Sequence, residues 1–583
     1  MKPSLLPALA ALAACGPERL SPDADTGDGD QLRPLVAADY DYPVYGIHFY
    51  GDDPPAEATI QNGQPMWSVE LLYTQDWARS DWGRERAKLQ SIRDKGFRVI
   101  LRLDYDRTFT VPPNPDWNAR WAYATTAGQI AATMADIVDV YVIGNEMTTQ
   151  APAEVRDPVW YACVYHGCAP DSAWEHIHAN DATAQVLMGP LSPWPYHMDQ
   201  IGMDNVDWLS TVMDHVEQGP AGPAIDGYAL HAYSSTDQAD DPGTPIEDPR
   251  TGDVTGMQAV RPFLERIYAR HRASVPIHIT ESNTYWMASG FAADSYRDDW
   301  VKEAFQAVDE WNGSNDLKIL SLDWYVYSHL GITDPASDIW GNAMMRTDNP
   351  RLNRAREDFS WVTSHADYRP GAPGGELRFQ AENFTNDAAW STKQGLEGVD
   401  FHDTDAANLG GQYRNGPGDA PQVDIARLPD WSGFAVGWIA PGEWLRYKML
   451  AGGRMVRLAA RYARGTPGSA SLTLRVDGAA VTTLSLPDTG GWDAYTGTAA
   501  SGAFWLPEGA HELRIETPTG GFNLDWFSLV PDGQCACGLV SGGNNFCSYP
   551  AGTPGCGMTQ PGGYCTGAAD WGRGWAEYAA ACD

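Results

Sequence analysis

Basic side chains are scarce in this sequence of 583 residues. It has 40 Lys and Arg against 76 Asp and Glu, which gives a formal net charge of −36 and a pI of about 4.5. Proteins that bind nucleic acids need a basic face that attracts phosphates, so this balance argues against a nucleic-acid partner. An acidic surface fits a soluble protein that handles neutral polymers, although acidity also serves solubility alone.

Long apolar runs are missing as well. The run at residues 5–14 follows Lys2, is too short to span a bilayer as a helix, and has the composition of a targeting segment. It ends in Ala14-Cys15-Gly16, which resembles a bacterial lipoprotein lipobox. The resemblance implies cleavage before Cys15 and a lipid anchor on its thiol, with Gly16 favouring the outer membrane surface of the cell envelope. An ordinary secretory signal that is cut nearby is the alternative. Residues 16–38, rich in Asp, Gly and Pro, are then a disordered tether.

Cysteines number only nine, and lipidation of Cys15 leaves eight, an even number suited to disulfides in an oxidising compartment. Cys163 and Cys168 are separated by four residues and predict a local disulfide. A metal pair is disfavoured because no second Cys or His pair has zinc-like spacing. The remaining six lie in the Gly-rich residues 532–583, which predicts a small tail stapled by three disulfides; they are Cys535, Cys537, Cys547, Cys556, Cys565 and Cys582.

Strand-like and helix-like segments alternate through the first large region, residues 39–367. The strand candidates are residues 44–50, 67–73, 97–103, 140–146, 186–189, 227–233, 277–281 and 319–325. Eight such strands with helices between them predict a (β/α)8 TIM barrel. A Pro/Gly linker follows at residues 368–375, and residues 376–531 have the short alternating strands of a β-sandwich of jelly-roll type. The fold class is therefore multidomain, a TIM barrel followed by a sandwich and the disulfide-rich tail.

Two glutamates come at the ends of strands in the predicted barrel. Glu146 follows the apolar run that begins at Val140, and Glu281 ends the run that begins at Ile277. The carboxyl ends of barrel strands face the active site. Strands 4 and 7 lie on opposite walls, so their two carboxyls can face each other, as the acid/base and the nucleophile of a retaining glycosidase do. A structural ion pair is the alternative for either residue alone.

Over the whole barrel region the sequence resembles clan A glycoside hydrolases. The resemblance implies that Glu146 is the acid/base, that Glu281 is the nucleophile, and that no cofactor serves catalysis. It also implies substrate-binding roles for other residues, which are Asn145 at the sugar 2-hydroxyl, His231, Tyr233 beside the nucleophile, and Trp324 under the cleaved sugar. The Arg that clan members often carry near the end of strand 2 is absent, and Arg102 on strand 3 is its expected substitute.

Three further polar residues near the predicted strand ends do not have a role that the sequence alone assigns. Asp104 and Asp106 follow strand 3 and are expected to be rim charges without a catalytic role. His48, on strand 1, is equally compatible with substrate contact and with core packing.

The sandwich resembles family 6 carbohydrate-binding modules on five pieces, residues 379–384, 436–439, 442–447, 489–492 and 521–527. The resemblance implies a sugar cleft in which Trp492 stacks on a ring, Asn523 hydrogen bonds and Tyr413 covers the opposite face. It also implies a structural calcium ion bound by the oxygen ligands Gln380, Glu382 and Asp525. Three more tryptophans are expected in the core, and they are Trp438, Trp444 and Trp526.

These observations predict a monomeric retaining glycoside hydrolase that cleaves a β-linked polysaccharide and is held near its polymer by the module. Two other functions remain open. One is a non-catalytic polysaccharide-binding surface protein, and the other is a cell-wall transglycosidase that uses the same residues.

Overall fold

The structure, a computed structural model, describes the greater part of both large regions of the chain. The described residues are 37–49, 60–77, 82–149, 156–168, 171–195, 202–219, 225–234, 246–247, 254–255, 257–284, 296, 298–327, 343–344, 349–385, 395–405, 407–411, 414, 422–429, 433–532, 538–540 and 544–546. The predictions for Cys15, for Tyr413, for nearly all of the tether and for the six tail cysteines lie outside them. Within these ranges no helix is both long and apolar enough to cross a bilayer.

Eight parallel strands close into a barrel, as predicted. They are β1 (Tyr45–His48), β2 (Met66–Tyr73), β3 (Phe97–Asp104), β4 (Val138–Ile143), β5 (Gln185–Met188), β6 (Tyr228–Ser234), β7 (Ile277–Thr284) and β8 (Ile319–Trp324). Each strand pairs with its neighbour in the chain, and β1 pairs with both β2 and β8, which closes the ring. The strands are buried on both faces, which explains why β4, for example, is apolar at nearly every position rather than alternating.

Helices connect the strands and cover the barrel. They are α1 (Ala37–Tyr40), α2 (Thr74–Trp77), α3 (Trp82–Asp94), α4 (Trp117–Met134), α5 (Pro158–Tyr165), α6 (Ala173–Asn180), α7 (Asn205–Gln218), α8 (Arg261–His271), α9 (Trp300–Ser314) and α10 (Pro350–His365). Short polar side chains mark several starts: Asp116 caps α4, Asp204 caps α7, and Ser172 forms a capping box with Glu175. These caps satisfy backbone N–H groups that have no partner within the first turn of a helix.

The turn after β4 presents the first predicted glutamate. The strand ends at Ile143, three residues earlier than the sequence pattern predicts. Gly144 follows with a φ of +76°, and a Cβ at this position would lie 2.6 Å from Cγ1 of Val111. A glycine is therefore required here for both conformation and space. Asn145 and Glu146 stand on the turn that it makes possible.

The second large region is a sandwich of two antiparallel sheets. Its strands are β9 (Leu377–Gln380), β10 (Phe401–His402), β11 (Ile425–Arg427), β12 (Phe434–Val436), β13 (Trp444–Ala451), β14 (Arg454–Ala463), β15 (Ser469–Val476), β16 (Ala479–Pro487), β17 (Gly497–Leu506), β18 (Gly509–Glu516) and β19 (Asn523–Pro531). One sheet has the order β11-β12-β19-β14-β17, with β9 also on β19, and the other has the order β10-β13-β18-β15-β16. Apolar residues from both sheets form one shared core. Short two-stranded ladders lie elsewhere, at Ile246–Glu247 with Val254–Thr255 and at Gly538–Val540 with Asn544–Phe546.

A buried aspartate joins the barrel to the sandwich. Asp316 lies between α9 and β8, and its Oδ1 accepts a hydrogen bond from the backbone N–H of Gly374 at 2.7 Å. Its Oδ2 accepts from the N–H of Gly452 at 2.6 Å and forms an ion pair with Arg454. Its own backbone N–H donates to the carbonyl of Leu450 at 2.9 Å. The side chain and backbone of Asp316 together therefore hold the linker, β13 and β14 against the barrel.

We expect Asp316→Ala to destabilise this junction by about 3–5 kcal/mol, because the change leaves the buried Arg454 charge without its ionic partner and two N–H groups without an acceptor. Calorimetry should show a lower Tm, or barrel and sandwich transitions that separate. Asp136→Ala is the matched control, since it breaks an exposed pair with Arg86, for which about 0–1 kcal/mol is expected. Equal melting curves for the two variants would show that the junction does not depend on Asp316.

Candidate active site and carbohydrate site

Glu146 and Glu281 meet at one imidazole ring at the carboxyl end of the barrel. Nδ1 of His231, on β6, lies 2.9 Å from Oε1 of Glu146 and 3.7 Å from Oε2 of Glu281. The imidazole is fully buried, Glu281 is 7% exposed, and the Glu146 side chain is more open to solvent. Two carboxyl groups from opposite walls thus share one pocket, one of them enclosed and the other accessible.

Glu281 is surrounded by hydrogen-bond donors. Nη1 of Arg102 donates to its Oε1 at 2.8 Å, and the Tyr233 hydroxyl donates to its Oε2 at 2.6 Å. The same guanidinium nitrogen also donates to Oδ1 of Asn145 at 3.0 Å. The structure therefore brings together Asn145, Glu146, His231, Tyr233, Glu281 and Arg102, which are six of the seven residues predicted for this site.

Electrostatics keep Glu281 ionised. Burial alone raises the pKa of its carboxyl, but the opposing effects, of which those of His231 and Arg102 are the largest, lower that pKa below its usual range. The Tyr233 hydrogen bond adds to the lowering. Burial first, and then the Glu281 charge, raise the pKa of Tyr233 well above its usual value, so its hydroxyl stays a donor.

His48 also lies at this end of the barrel and is buried. Burial lowers the pKa of its imidazole to about 4, and its Nε2 is within hydrogen-bond distance of the carbonyl of Thr280, the residue before Glu281. The neutral ring supports the strand that carries Glu281.

The structure corrects the prediction for Trp324. Its ring is 3% exposed and packs edge-on against Tyr296 and Trp300, both at 6.1 Å between ring centroids, in the core outside the barrel wall. Tyr325, the next residue, is half-buried and lies edge-on to His48 at 5.3 Å. Successive side chains of a strand point to opposite faces, so a shift of one residue exchanges wall and lumen. The sequence pattern located strand 8, but the expectation took the wrong one of its two adjacent aromatic residues, since Ser321 and Asp323 share a face with Tyr325.

Asp104 is a second correction, because it is buried at 3% exposure and is not a rim charge. Its Oδ2 lies 3.4 Å from Nη2 of Arg102. Burial raises the pKa of the Asp104 carboxyl to about 6 against the opposing effect of Arg102. Asp106 does behave as expected of a surface residue, since its Oδ1 accepts from the N–H groups of Thr108 and Phe109 in its own turn.

Cys163 and Cys168 form a disulfide in the connection between β4 and β5. Nη1 of Arg120, on α4, donates to the carbonyl of Cys163 at 2.8 Å and to that of Cys168 at 3.2 Å. The disulfide loop is thereby attached to the helix that follows β3.

Two tryptophans flank one asparagine at the sandwich loops. Trp492 is 45% exposed, and Trp438, which was expected in the core, is 52% exposed. Nδ2 of Asn523 donates to the carbonyl of Trp492 at 3.0 Å, and its Oδ1 accepts from the N–H of Trp438 at 3.2 Å. Asn523 therefore holds the two tryptophan-bearing loops together. Trp438 has a φ of +48°, a local backbone feature that the apolar pattern around it does not reveal.

Trp444 and Trp526 were also expected in the core, and both are half-buried on the outer faces of the sandwich. A guanidinium covers each ring, with Arg514 at 3.8 Å and Arg378 at 4.3 Å from the ring centroids. Cation–π contact explains why these rings tolerate the surface.

The predicted calcium ligands contain an unusual carboxylate. Glu382 is buried, and its Oε2 has no hydrogen-bond partner among the described residues. Asp525 is buried too, and its Oδ2 accepts from Nη1 of Arg461 at 2.6 Å. Gln380 pairs in register with Trp526, the residue after Asp525, on the adjoining strand. A buried carboxylate oxygen without a donor is what a hard cation would satisfy, so the donor set fits calcium.

A third group of carboxylates was not found from the sequence. Asp403, Asp405 and Asp424 each place one carboxylate oxygen within 4.8 Å of the others. Burial raises the pKa of Asp403 to about 8. The Asp-Thr-Asp spacing was the available signal, but Asp424 joins the pair only through the fold.

Residues 418–531 match the family model described as carbohydrate binding module (family 6). The match supports the family 6 prediction and covers most of the sandwich. No curated protein matches the chain.

Similar solved structures include the C-terminal family 6 module of a laminarinase from Zobellia galactanivorans, at 19% identity, 27% of this chain, 99% of that chain and a TM-score of 0.20. A family 6 module from Clostridium stercorarium, solved with cellobiose, has 19% identity, covers 27% and 93% of the two chains, and has a TM-score of 0.19. A module of a lichenase from Cellvibrio mixtus, solved with cellotriose, has 28% identity, coverages of 19% and 87%, and a TM-score of 0.18. With TM-scores this low, none of these structures bears on the function of the chain.

Proposed function

We propose that the barrel is a retaining glycoside hydrolase that cleaves a β-linked polysaccharide. The observation that carries this proposal is the contact of both Glu146 and Glu281 with Nδ1 of His231. Both contacts involve the same nitrogen, at 2.9 Å from Oε1 of Glu146 and 3.7 Å from Oε2 of Glu281. These two oxygens therefore lie no farther apart than the sum of the two distances, which favours the shorter carboxyl separation of retaining enzymes. Retaining enzymes need about 5–5.5 Å between their carboxyls, whereas inverting enzymes need roughly 6.5–9.5 Å to admit a water molecule.

Glu281 suits the nucleophile. It is buried and ionised, and Arg102 and Tyr233 hold its two oxygens in place. In the first step one of these oxygens bonds to the anomeric carbon while the glycosidic oxygen departs. Asn145, hydrogen-bonded to the same Arg102, is placed to bind the sugar 2-hydroxyl.

Glu146 suits the acid/base. Its side chain is the more exposed of the pair, so water and the departing sugar can both reach it. It protonates the leaving oxygen in the first step. In the second it removes a proton from the water that attacks the glycosyl–enzyme ester, which releases a sugar of unchanged anomeric configuration. Tyr325 replaces Trp324 as our candidate for the aromatic surface beneath the sugar.

We infer that the sandwich binds the same class of polymer. The family 6 match and the exposed faces of Trp438 and Trp492 support this inference. Gln380, Glu382 and Asp525 would hold a structural calcium ion, which cross-links β9 to β19 and takes no part in catalysis. The lipid anchor at Cys15, an envelope location, the monomeric state and the disulfide-stapled tail stay predictions.

We expect Glu281→Gln to reduce release of reducing sugar from the cognate polysaccharide by about 10⁴-fold or more, because the nucleophile is lost. Glu146→Gln should cost about 10²–10⁴-fold on the polymer but far less on an aryl glycoside, whose leaving group needs little protonation. Assays should cover xylan, mannan, agar and mixed-linkage β-glucan, with nuclear magnetic resonance of the first product anomer.

The matched control for both variants is Glu85→Gln, a surface glutamate on α3 near Lys88. Inverted product would contradict the retaining mechanism. Products longer than the substrate would indicate a transglycosidase, and binding without any turnover would indicate a non-catalytic binding protein.

For the sandwich, we expect Trp492→Ala to weaken binding of soluble polysaccharide by about 2 kcal/mol, roughly thirtyfold in Kd, because a stacking face is removed. Affinity electrophoresis in gels that contain each polymer measures this. Trp361→Ala is the control, since Trp361 is also exposed but lies on barrel helix α10. Equal retardation of both variants would contradict a binding site at Trp492.

For the metal, calcium should raise the Tm and a chelator should lower it. The gain is expected to be about 2.7 kcal/mol at a calcium concentration 100 times its Kd. Glu382→Gln should abolish the response, whereas magnesium should not reproduce it, because it prefers six near-octahedral ligands at shorter distances. A calcium response that survives in Glu382→Gln would place the ion elsewhere.

A further inference from the structure

Asp104 stands in the same pocket as the two glutamates. It follows Arg102 by two residues on β3, and alternate side chains of a strand share one face. That face is the barrel lumen, because the Arg102 guanidinium reaches Glu281 on β7. Asp104 is the last residue of its strand and so lies nearer the mouth of the barrel than Arg102 does.

The two oxygens of Asp104 have different surroundings. Oδ2 lies 3.4 Å from Nη2 of Arg102. Oδ1 is buried and has no hydrogen-bond partner among the residues that the structure describes. Buried polar atoms are nearly always hydrogen-bonded, so an acceptor in the barrel lumen without a partner among the described residues indicates a donor that arrives with a ligand.

We propose that Asp104 is a substrate-binding residue whose Oδ1 accepts a hydrogen bond from a hydroxyl of the sugar unit held against Glu281. This inference rests on the proposed glycosidase function and deepens it. Hydroxyl groups are the donors that a neutral sugar offers, and Arg102 orients Asp104 on one side and Glu281 on the other. A single guanidinium thereby sets the distance between the sugar hydroxyl and the attacked carbon.

The inference predicts discrimination at one hydroxyl. A site built to hydrogen-bond a hydroxyl rejects the analogue that lacks it, because the buried acceptor is then left unpaired. Asp104→Ala removes the acceptor, so the variant should no longer distinguish the two substrates.

The test compares full-length wild type and Asp104 variants on two kinds of substrate. Both are aryl β-glycosides of the shortest oligosaccharide that the enzyme releases, either complete or lacking one hydroxyl. In each analogue the sugar next to the aryl group lacks one hydroxyl. Wild type should lose about 100-fold in kcat/KM on one analogue, whereas Asp104→Ala should lose less than about threefold on that same analogue. Asp104→Asn, which keeps an oxygen acceptor, should retain part of the discrimination. Asp106→Asn, two residues along the chain, should behave as wild type.

Equal losses on every analogue in wild type and Asp104→Ala would overturn the inference while leaving the hydrolase intact, because Asp104 would then act only through Arg102. Calorimetry of Glu281→Gln/Trp492→Ala with soluble fragments of the assayed polysaccharides separates the other case, because this probe does not depend on turnover. If wild type cleaves nothing and titration of Glu281→Gln/Trp492→Ala detects no binding, the proposed function and this inference fail together.

Discussion

The ion pair between Arg102 and Glu281 is the contact on which the pocket depends. A buried carboxylate is costly without a partner, and this guanidinium supplies one at 2.8 Å. The same Nη1 also donates to Asn145, and Nη2 lies near Asp104, so one planar group ties strands β3 and β7 to the turn after β4. Arginine suits this position because its donors form a rigid fork that stays charged at any pH the protein meets.

The barrel makes this arrangement available. Residues far apart in the chain meet because the carboxyl ends of all eight strands lie at one rim. His231 from β6 contacts both carboxyl groups, the enclosed one of Glu281 and the more accessible one of Glu146. The different exposure of two groups with the same chemistry is what assigns them different roles in our proposal. At the amino end of β8, Asp316 attaches the sandwich to the barrel, so that proposed polymer binding and proposed cleavage occur within one packed unit.

The sequence predicted some parts of the site well and others poorly, for reasons that are physical. Glu146 and Glu281 were found because a carboxylate after a buried apolar run is conspicuous. Trp324 was misplaced although β8 contains a usable pattern, since the polar Ser321 and Asp323 share a face with Tyr325 and not with Trp324. One residue of shift exchanges the wall and the lumen of a barrel. Trp438 was misplaced because its exposure follows from a left-handed backbone conformation at a loop.

From the sequence alone came the order and type of the large units, the two glutamates and the family 6 resemblance. These are encoded locally, in runs of apolar residues, in turn residues and in short motifs. The tertiary structure alone decided that Asp104 is buried with one oxygen that has no hydrogen-bond partner among the described residues, and that Asp424 joins Asp403 and Asp405. The burial of a side chain and its hydrogen-bond or metal partners depend on which strands become neighbours, and a local sequence pattern does not specify these neighbours.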